Sequence, residues 1–258
     1  MSVRFISRIG EDEPGREILD FLQQHGFEHD DIQIDSSYET GSVTVKLDPK
    51  GVPKFDIRRP VAYDCLEFND NLAALLDQTP RLIYFGSLIQ RTACGFNTLR
   101  QLVAAKPAKT KTFCDINLRP RCYDKVSIVS SLEYSDILKL NHEEFQVLKE
   151  LTADDIKDAA FIEQLMSGHA MEAIILTKGE EGSQCFMTTG QYQSKPVKIT
   201  NIVDTVGAGD AYAAMFVFGY LKGWPVAEIL AAATAFAARL CTVEGALPPD
   251  DKFYQEIM

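Results

Sequence analysis

Along the chain, short apolar runs alternate with stretches whose apolar residues recur every three or four positions. Val3-Arg4-Phe5-Ile6 reads as a strand. Asp12 then stands at a helix cap with Pro14 in the first turn. Ile18, Leu19, Phe21 and Leu22 give that helix one apolar face, and Gly26 ends it. The period then changes to two. Val43, Val45 and Leu47 alternate with Thr44, Lys46 and Asp48, and Phe55 and Ile57 alternate with Lys54, Asp56 and Arg58. With Asp48-Pro49-Lys50-Gly51 as the turn between them, this predicts an antiparallel hairpin with one wet face, standing off the main sheet as a lid.

After the hairpin the strand–helix alternation resumes. Leu82 to Phe85, Thr112 to Cys114, Ile137 to Leu140 and Ala173 to Leu176 are short runs that suit strands buried on both faces of a parallel sheet. Helical patterns separate them, for example His142 to Leu151. The last third predicts helices over about Gly209 to Leu221 and Val226 to Cys241, with Gly223 and Pro225 at the join. The sum is a three-layer α/β fold, a mainly parallel central sheet flanked by helices. Ligands of such sheets bind beyond the carboxyl ends of the strands.

Composition narrows this picture. The 258 residues, 46% apolar and 24% charged, suit a single domain over 1–258, with a partial β lid at about 32–60. A formal net charge of −11 argues against nucleic acid as partner. No run approaches the roughly 18 apolar residues of a membrane helix. Arg4 and Arg8 interrupt the only apolar stretch that could begin a signal peptide. The six cysteines form no CxxC pair, and the four histidines have no ligand spacing with them. The expectation is a cytoplasmic protein with reduced thiols.

The strongest chemical signal is Asp204-Thr205-Val206-Gly207-Ala208-Gly209-Asp210, which opens a helix of small and apolar residues. Gly207 and Gly209 let backbone N–H groups approach a ligand closely. A helix start adds unpaired donors and a partial positive charge, a combination suited to a phosphoryl group. Asp210 in the same turn is placed as a general base. The bland alternative is a Gly-rich turn with Asp210 as helix cap. The chain contains no GxxxxGK[ST] P-loop.

Asp204 to Phe216 resembles the C-terminal signature of the PfkB/ribokinase family of carbohydrate kinases. The resemblance continues along the chain. Gly10 to Gly15 matches a Gly-x-Asp-x-x-Gly turn, and Asp115-Ile116-Asn117-Leu118-Arg119 matches the Asp-x-Asn-x-Arg of fructokinase-like and ketodeoxygluconate kinase-like members. Asn141-His142-Glu143-Glu144 matches Asn-x-x-Glu, while Thr177-Lys178-Gly179 with Gly182 matches a nucleotide-side turn. Thr242 to Ala246, with Gly245, resembles the segment near the adenine. The resemblance implies a ribokinase-like fold and transfer of the γ-phosphoryl of ATP to a hydroxymethyl group of a sugar. It gives Asp210 the role of base and makes Gly207, Ala208 and Gly209 the anion hole. Arg119 and Asn117 would meet substrate or phosphate, and Asn141, Thr177, Gly179, Gly182 and Gly245 would line the nucleotide. Glu144 would hold Mg²⁺ through water, and Asp204 would sit at a monovalent cation such as K⁺.

The bland readings are a solvated surface arginine for Arg119, an N-cap for Asn141 and an ordinary strand end for Thr177. The family's opening strand with its substrate-binding Asp, and its Gly-Gly-x-x-x-Asn helix, have no counterpart here. The expectation is therefore a shortened or misassigned start, with marginal stability or oligomerisation as its consequence. Pairing of lids between two subunits is implied by the resemblance. Asp-x-Asn-x-Arg and Gly86-Ser87-Leu88 point to fructose first and ketodeoxygluconate second. The alternative is a catalytically inactive relative that binds nucleotide or regulates a partner.

Overall fold

The computed structural model describes residues 1–47, 53–153, 156–248 and 252–255. The Asp48 to Gly51 turn lies outside the described residues. The main elements in chain order are β1 (Ser7–Gly10), α1 (Glu13–Gln24), β2 (Ile32–Asp35), β3 (Val43–Leu47), β4 (Pro53–Ile57), α2 (Asp70–Asp77), β5 (Leu82–Gly86), α3 (Ala93–Ala105) and β6 (Lys111–Asp115). They continue with α4 (Lys125–Glu133), β7 (Ile137–Asn141), α5 (His142–Thr152), α6 (Asp158–Gly168), β8 (Ala173–Thr177), β9 (Ser183–Met187), β10 (Gly190–Gln193), α7 (Ala208–Lys222) and α8 (Val226–Leu240). Two compact units emerge, one of residues 1–80, 88–110 and 119–127, the other of residues 81–87, 111–118 and 128–258.

The second unit carries a six-stranded sheet in the order β10-β9-β8-β7-β6-β5. β5 to β8 run parallel, while β9 is antiparallel to both β8 and β10. Successive residues of a strand face opposite ways. Ile137, Ala173 and Ile175 join a core with Tyr212, Phe216, Leu230 and Phe236 of α7 and α8. Fully buried Leu138, Leu140 and Ile174 alternate with them, and α5 and α6 contact β7 and β8. The sheet is thus covered by helices, as the sequence pattern predicts.

The first unit holds β1 and β2 as a parallel pair, Ser7 opposite Ile32 through Gly10 opposite Asp35. Ile9, Leu22 and Ile32 form its small core, with Leu19 and Phe27 packed on it. Asp12 caps α1 as expected: its Oδ1 accepts from the Gly15 N–H at 2.9 Å. The same carboxylate accepts from Thr40 N and Thr40 Oγ1, which draws its pKa down. The Gly10–Gly15 motif is therefore a structural turn: a Cβ on Gly10 would lie 2.6 Å from Thr40 N. The expected hairpin is present as β3 against β4, Val43 opposite Ile57.

Two expectations are corrected, and one strand pair had no expectation. The first strand is Ser7–Gly10 and not Val3 to Ile6, because the ladder with β2 starts at Ser7 and Arg4 is turned into ion pairs with Glu28 and Asp31. β5 is not buried on both faces: it is the edge of its sheet and leaves Tyr84 47% exposed. The β9–β10 pair was missed, since Gly190 between two short mixed runs is a weak hairpin signal.

Candidate active site

α7 begins at Ala208 behind Gly207, whose φ of 80° lies in the left-handed region that favours glycine. Ala211 N–H is the first to close a helical bond, to Gly207 O at 2.8 Å. Of the amides before it, Ala208 N–H is turned to Thr205 O at 3.3 Å, and those of Gly209 and Asp210 lie at the helix start, where an anion would be met. Gly207 is the cap position, so Asp210 is not the cap. It is the third helical residue, exposed, on the first turn. That removes the reading of Asp210 as helix cap and places its carboxylate on the first turn of α7.

The loop before α7 is clamped by Asp204. Its Oδ1 accepts from Val206 N at 3.0 Å and its Oδ2 from Gly245 N at 3.1 Å. These two backbone donors hold the Asp204 carboxyl below the usual carboxylate range. The clamp ties the 204–210 loop to the 242–246 loop. Gly245 itself has a φ of 77°.

Asn141 and Glu144 form a complete capping box at the start of α5. Asn141 Oδ1 accepts from Glu144 N at 2.9 Å, and Glu144 Oε2 accepts from Asn141 N at 2.8 Å. Glu144 Oε1 reaches across to Leu118 N at 2.9 Å and so holds the loop after β6. Glu144 is 9% exposed. Burial pushes its carboxyl up, opposed by the two backbone donors. Asn117 in the held loop has a φ of 39°, a strained value for a residue with a side chain.

Thr177 ends β8 beside Asn141 of β7. Gly179 and Gly182, with φ of 54° and 89°, make the turn that follows, closed by Lys178 N to Gly182 O at 2.8 Å. A Cβ on Gly182 would lie 2.7 Å from Ser194 Oγ. Arg119 is exposed and lies in the first unit, where its carbonyl accepts from Cys122 N. The remaining candidates, Asp210, the three anion-hole residues, Asn117, Asn141, Glu144, Thr177, Gly179, Gly182, Gly245 and Asp204, belong to the second unit.

One cluster escaped the sequence reading. Lys139 sits in β7 among the fully buried Ile137, Leu138 and Leu140, at 5% exposure, and its Nζ lies 2.7 Å from Asp115 Oδ2. Tyr84 Oη donates to the same oxygen at 3.1 Å. A Cβ on Gly209 would stand 3.7 Å from Lys139 Nζ, so the ammonium lies beside the anion-hole turn. The signal was available: a lysine inside Ile137-Leu138-Lys139-Leu140 requires a buried counter-charge. Among the described residues no group of three His, Cys, Asp or Glu could hold a metal ion. The donors fit a hydrated magnesium carried on nucleotide phosphates better than a cage built by the protein.

A Gly-rich helix start with a carboxylate on its first turn, in a mainly parallel sheet flanked by helices, is an arrangement that could receive an anionic group such as a phosphoryl. The chain belongs to the pfkB family of carbohydrate kinases, whose model matches residues 1–252. It is a carbohydrate kinase, and membership implies ATP as phosphoryl donor. Over its full length it is 26% identical to the 5-dehydro-2-deoxygluconokinase of Geobacillus thermodenitrificans, covering 79% of that protein. It is 25% identical to 5-dehydro-2-deoxygluconokinase 2 of Bacillus cereus, over 88% of this chain and 70% of the relative. In fold it resembles the fructokinase of Xylella fastidiosa with bound ATP, with a TM-score of 0.82 and 23% identity over 95% of this chain and 80% of that one. The 2-dehydro-3-deoxygluconokinase of Thermotoga maritima gives the same TM-score at 18% identity, over 100% and 85%. Among the described residues no helix is long and apolar enough to cross a membrane.

Proposed function

We propose that this kinase phosphorylates the hydroxymethyl group of a six-carbon keto sugar or keto sugar acid, with Asp210 as general base. The observation that carries the reading is the start of α7, where Gly207 takes the cap position and leaves Asp210 exposed one turn in. Phosphoryl transfer has a loose transition state, so positioning and charge neutralisation are what the protein must supply. Asp210 orients the attacking hydroxyl and takes its proton. Gly207, Ala208 and Gly209 form the turn that receives the transferring group, with the Ala208 amide held by Thr205 O at 3.3 Å, and Arg119 and Asn117 meet substrate or phosphate. Asn141, Thr177, Gly179, Gly182 and Gly245 line the nucleotide. Magnesium would neutralise charge on the phosphates, and Glu144, whose two oxygens each accept from a backbone N–H, would meet its waters with the remaining lone pairs. Asp204 uses both oxygens on backbone donors, so a potassium ion there would have to be met by carbonyl oxygens, and no step is assigned to it. The β3–β4 hairpin is the lid, and pairing of lids in a homodimer in the cytoplasm completes the proposal.

Asp115 to Arg119 and Gly86 to Leu88 favour fructose. The names of the relatives favour 5-dehydro-2-deoxygluconate, whose carboxylate suits a planar arginine cation such as Arg119. The test is an ATP-coupled assay with magnesium and potassium over 5-dehydro-2-deoxygluconate, fructose, 2-dehydro-3-deoxygluconate, ribose and adenosine. Turnover on one acceptor, reduced about 10² to 10⁴-fold in Asp210→Ala, is expected. An unchanged kcat in that variant overturns the base assignment. ATP binding without turnover on any acceptor would instead support a non-catalytic relative.

A further inference from the structure

Among the aromatic residues of the central sheet, Phe85 and Phe113 are buried, Phe186 and Tyr192 are half-buried, and Tyr84 is exposed. Phe113 of β6 is 0% exposed and Phe85 of β5 is 7% exposed, whereas Tyr84, opposite Phe113 in the ladder, is 47% exposed. Its ring is nevertheless held. It stacks on Phe113 at 5.4 Å between centroids and 14° between planes, and Phe113 in turn meets Phe216 of α7. Its hydroxyl donates to Asp115 Oδ2, the oxygen that also takes Lys139 Nζ. Lys139 leads directly to the anion-hole turn at Gly209. Tyr84 is therefore linked through Asp115 and Lys139 to the turn that carries Asp210, and the negative charges of Asp115 and Asp210 both help to keep its phenol protonated, after the larger effect of burial.

We propose that the Tyr84 ring, held by Asp115 and Phe113, is the wall against which the apolar face of the sugar acceptor lies beside Asp210. A sugar presents C–H groups on one face and hydroxyls at its edge. An aromatic plane buries the first without competing for the second. The plane is preorganised, because its rotation would break the Asp115 bond and the Phe113 stack, so little ordering cost remains when the acceptor arrives. The phenol oxygen keeps lone pairs with which to accept from a sugar hydroxyl. Asp115 is paired with Lys139 at 2.7 Å, and Asp210 is the carboxylate set at the hydroxymethyl end. Tyr84 thus acts on choice and affinity of the acceptor, and not on the nucleotide.

This inference rests on the sugar-kinase reading, and its test separates the two. Wild type, Tyr84→Phe, Tyr84→Leu and Tyr84→Ala are compared by steady-state kinetics and by calorimetric titration with fructose and with 5-dehydro-2-deoxygluconate. Tyr84→Ala should raise the acceptor KM and Kd on the order of tenfold or more, the effect of removing an apolar pocket wall. The KM for ATP should stay within about twofold, as expected for a residue that touches only one substrate. Tyr84→Phe keeps the ring but loses the Asp115 bond and the phenol oxygen, and should weaken acceptor binding less than Tyr84→Ala does. Tyr84→Leu keeps apolar volume and supplies the result if the alanine variant fails to fold. Equal effects on ATP and acceptor, or an acceptor KM and Kd unchanged in both the alanine and leucine variants, overturn the proposal. A wild type that titrates neither acceptor overturns it as well. Binding weakened by Tyr84→Ala in a protein that turns over no sugar would sink the kinase reading and leave the acceptor wall standing.

Discussion

At the scale of single residues, a motif match and a structural duty often coincide. Asn141 and Glu144 are a capping box whatever else they do, and Asp12 is a helix cap first. Asp204 illustrates the consequence for pH. Its folded pKa is lowered by the amides of Val206 and Gly245. Its contribution to stability is therefore complete above the ordinary carboxylate range, near pH 4, and is lost as pH falls through the lower folded value. The Tm of wild type should exceed that of Asp204→Asn at neutral pH, and the gap should close between about pH 5 and pH 2. Thermal melts across that range check this; a gap independent of pH would mean that the charge of Asp204 does not hold the two loops together.

At the scale of elements, the start of α7 joins two glycines with different reasons to be glycine. Gly207 has positive φ, and a Cβ there would lie 2.8 Å from Ala246 Cβ. Gly209 has ordinary room, with Lys139 Nζ at 3.7 Å from its would-be Cβ. Gly207→Ala should destabilise by about 1–3 kcal/mol through backbone strain and the clash. Gly209→Ala should be neutral or stabilising by up to about 1 kcal/mol, because alanine is the better helix former. Urea unfolding separates the two, and equal losses would contradict the geometry. Both variants crowd the approach of a phosphate to the amides, so both should slow turnover whatever their stability. The helix ends and the hairpin were legible in the sequence because caps, prolines and alternation are local. The β9–β10 pair and the start of β1 were not, because each is defined by its ladder partner.

At the scale of the whole molecule, the open strands matter most. Among the described residues β1 ladders only with β2, and β5 only with β6. Phe5, Phe21 and Ile34 of the first unit are 40%, 40% and 50% exposed. Unpaired strand edges and apolar surface promote association, whereas a net charge of −11 opposes it. Sedimentation should show self-association that rises with concentration toward about 100 µM. It should rise further with salt, because screening weakens the repulsion. A monomer unchanged by either would show that the edges are protected. The chain's thiols follow the sequence expectation: the six cysteines are unpaired, with Cys114, Cys122, Cys185 and Cys241 buried.

The sequence by itself determined the parallel-sheet class, the helices and their caps, and the placing of Asp210 after two glycines. These depend on periodicity, turn chemistry and neighbours a few residues apart. Tertiary structure alone decided that Asp204 clamps a loop forty-one residues away, that Glu144 holds Leu118, and that Lys139, Asp115 and Tyr84 meet beside Gly209. Each of those contacts joins residues from different strands or loops, and a buried charge finds its partner only when the sheet has brought their strands together.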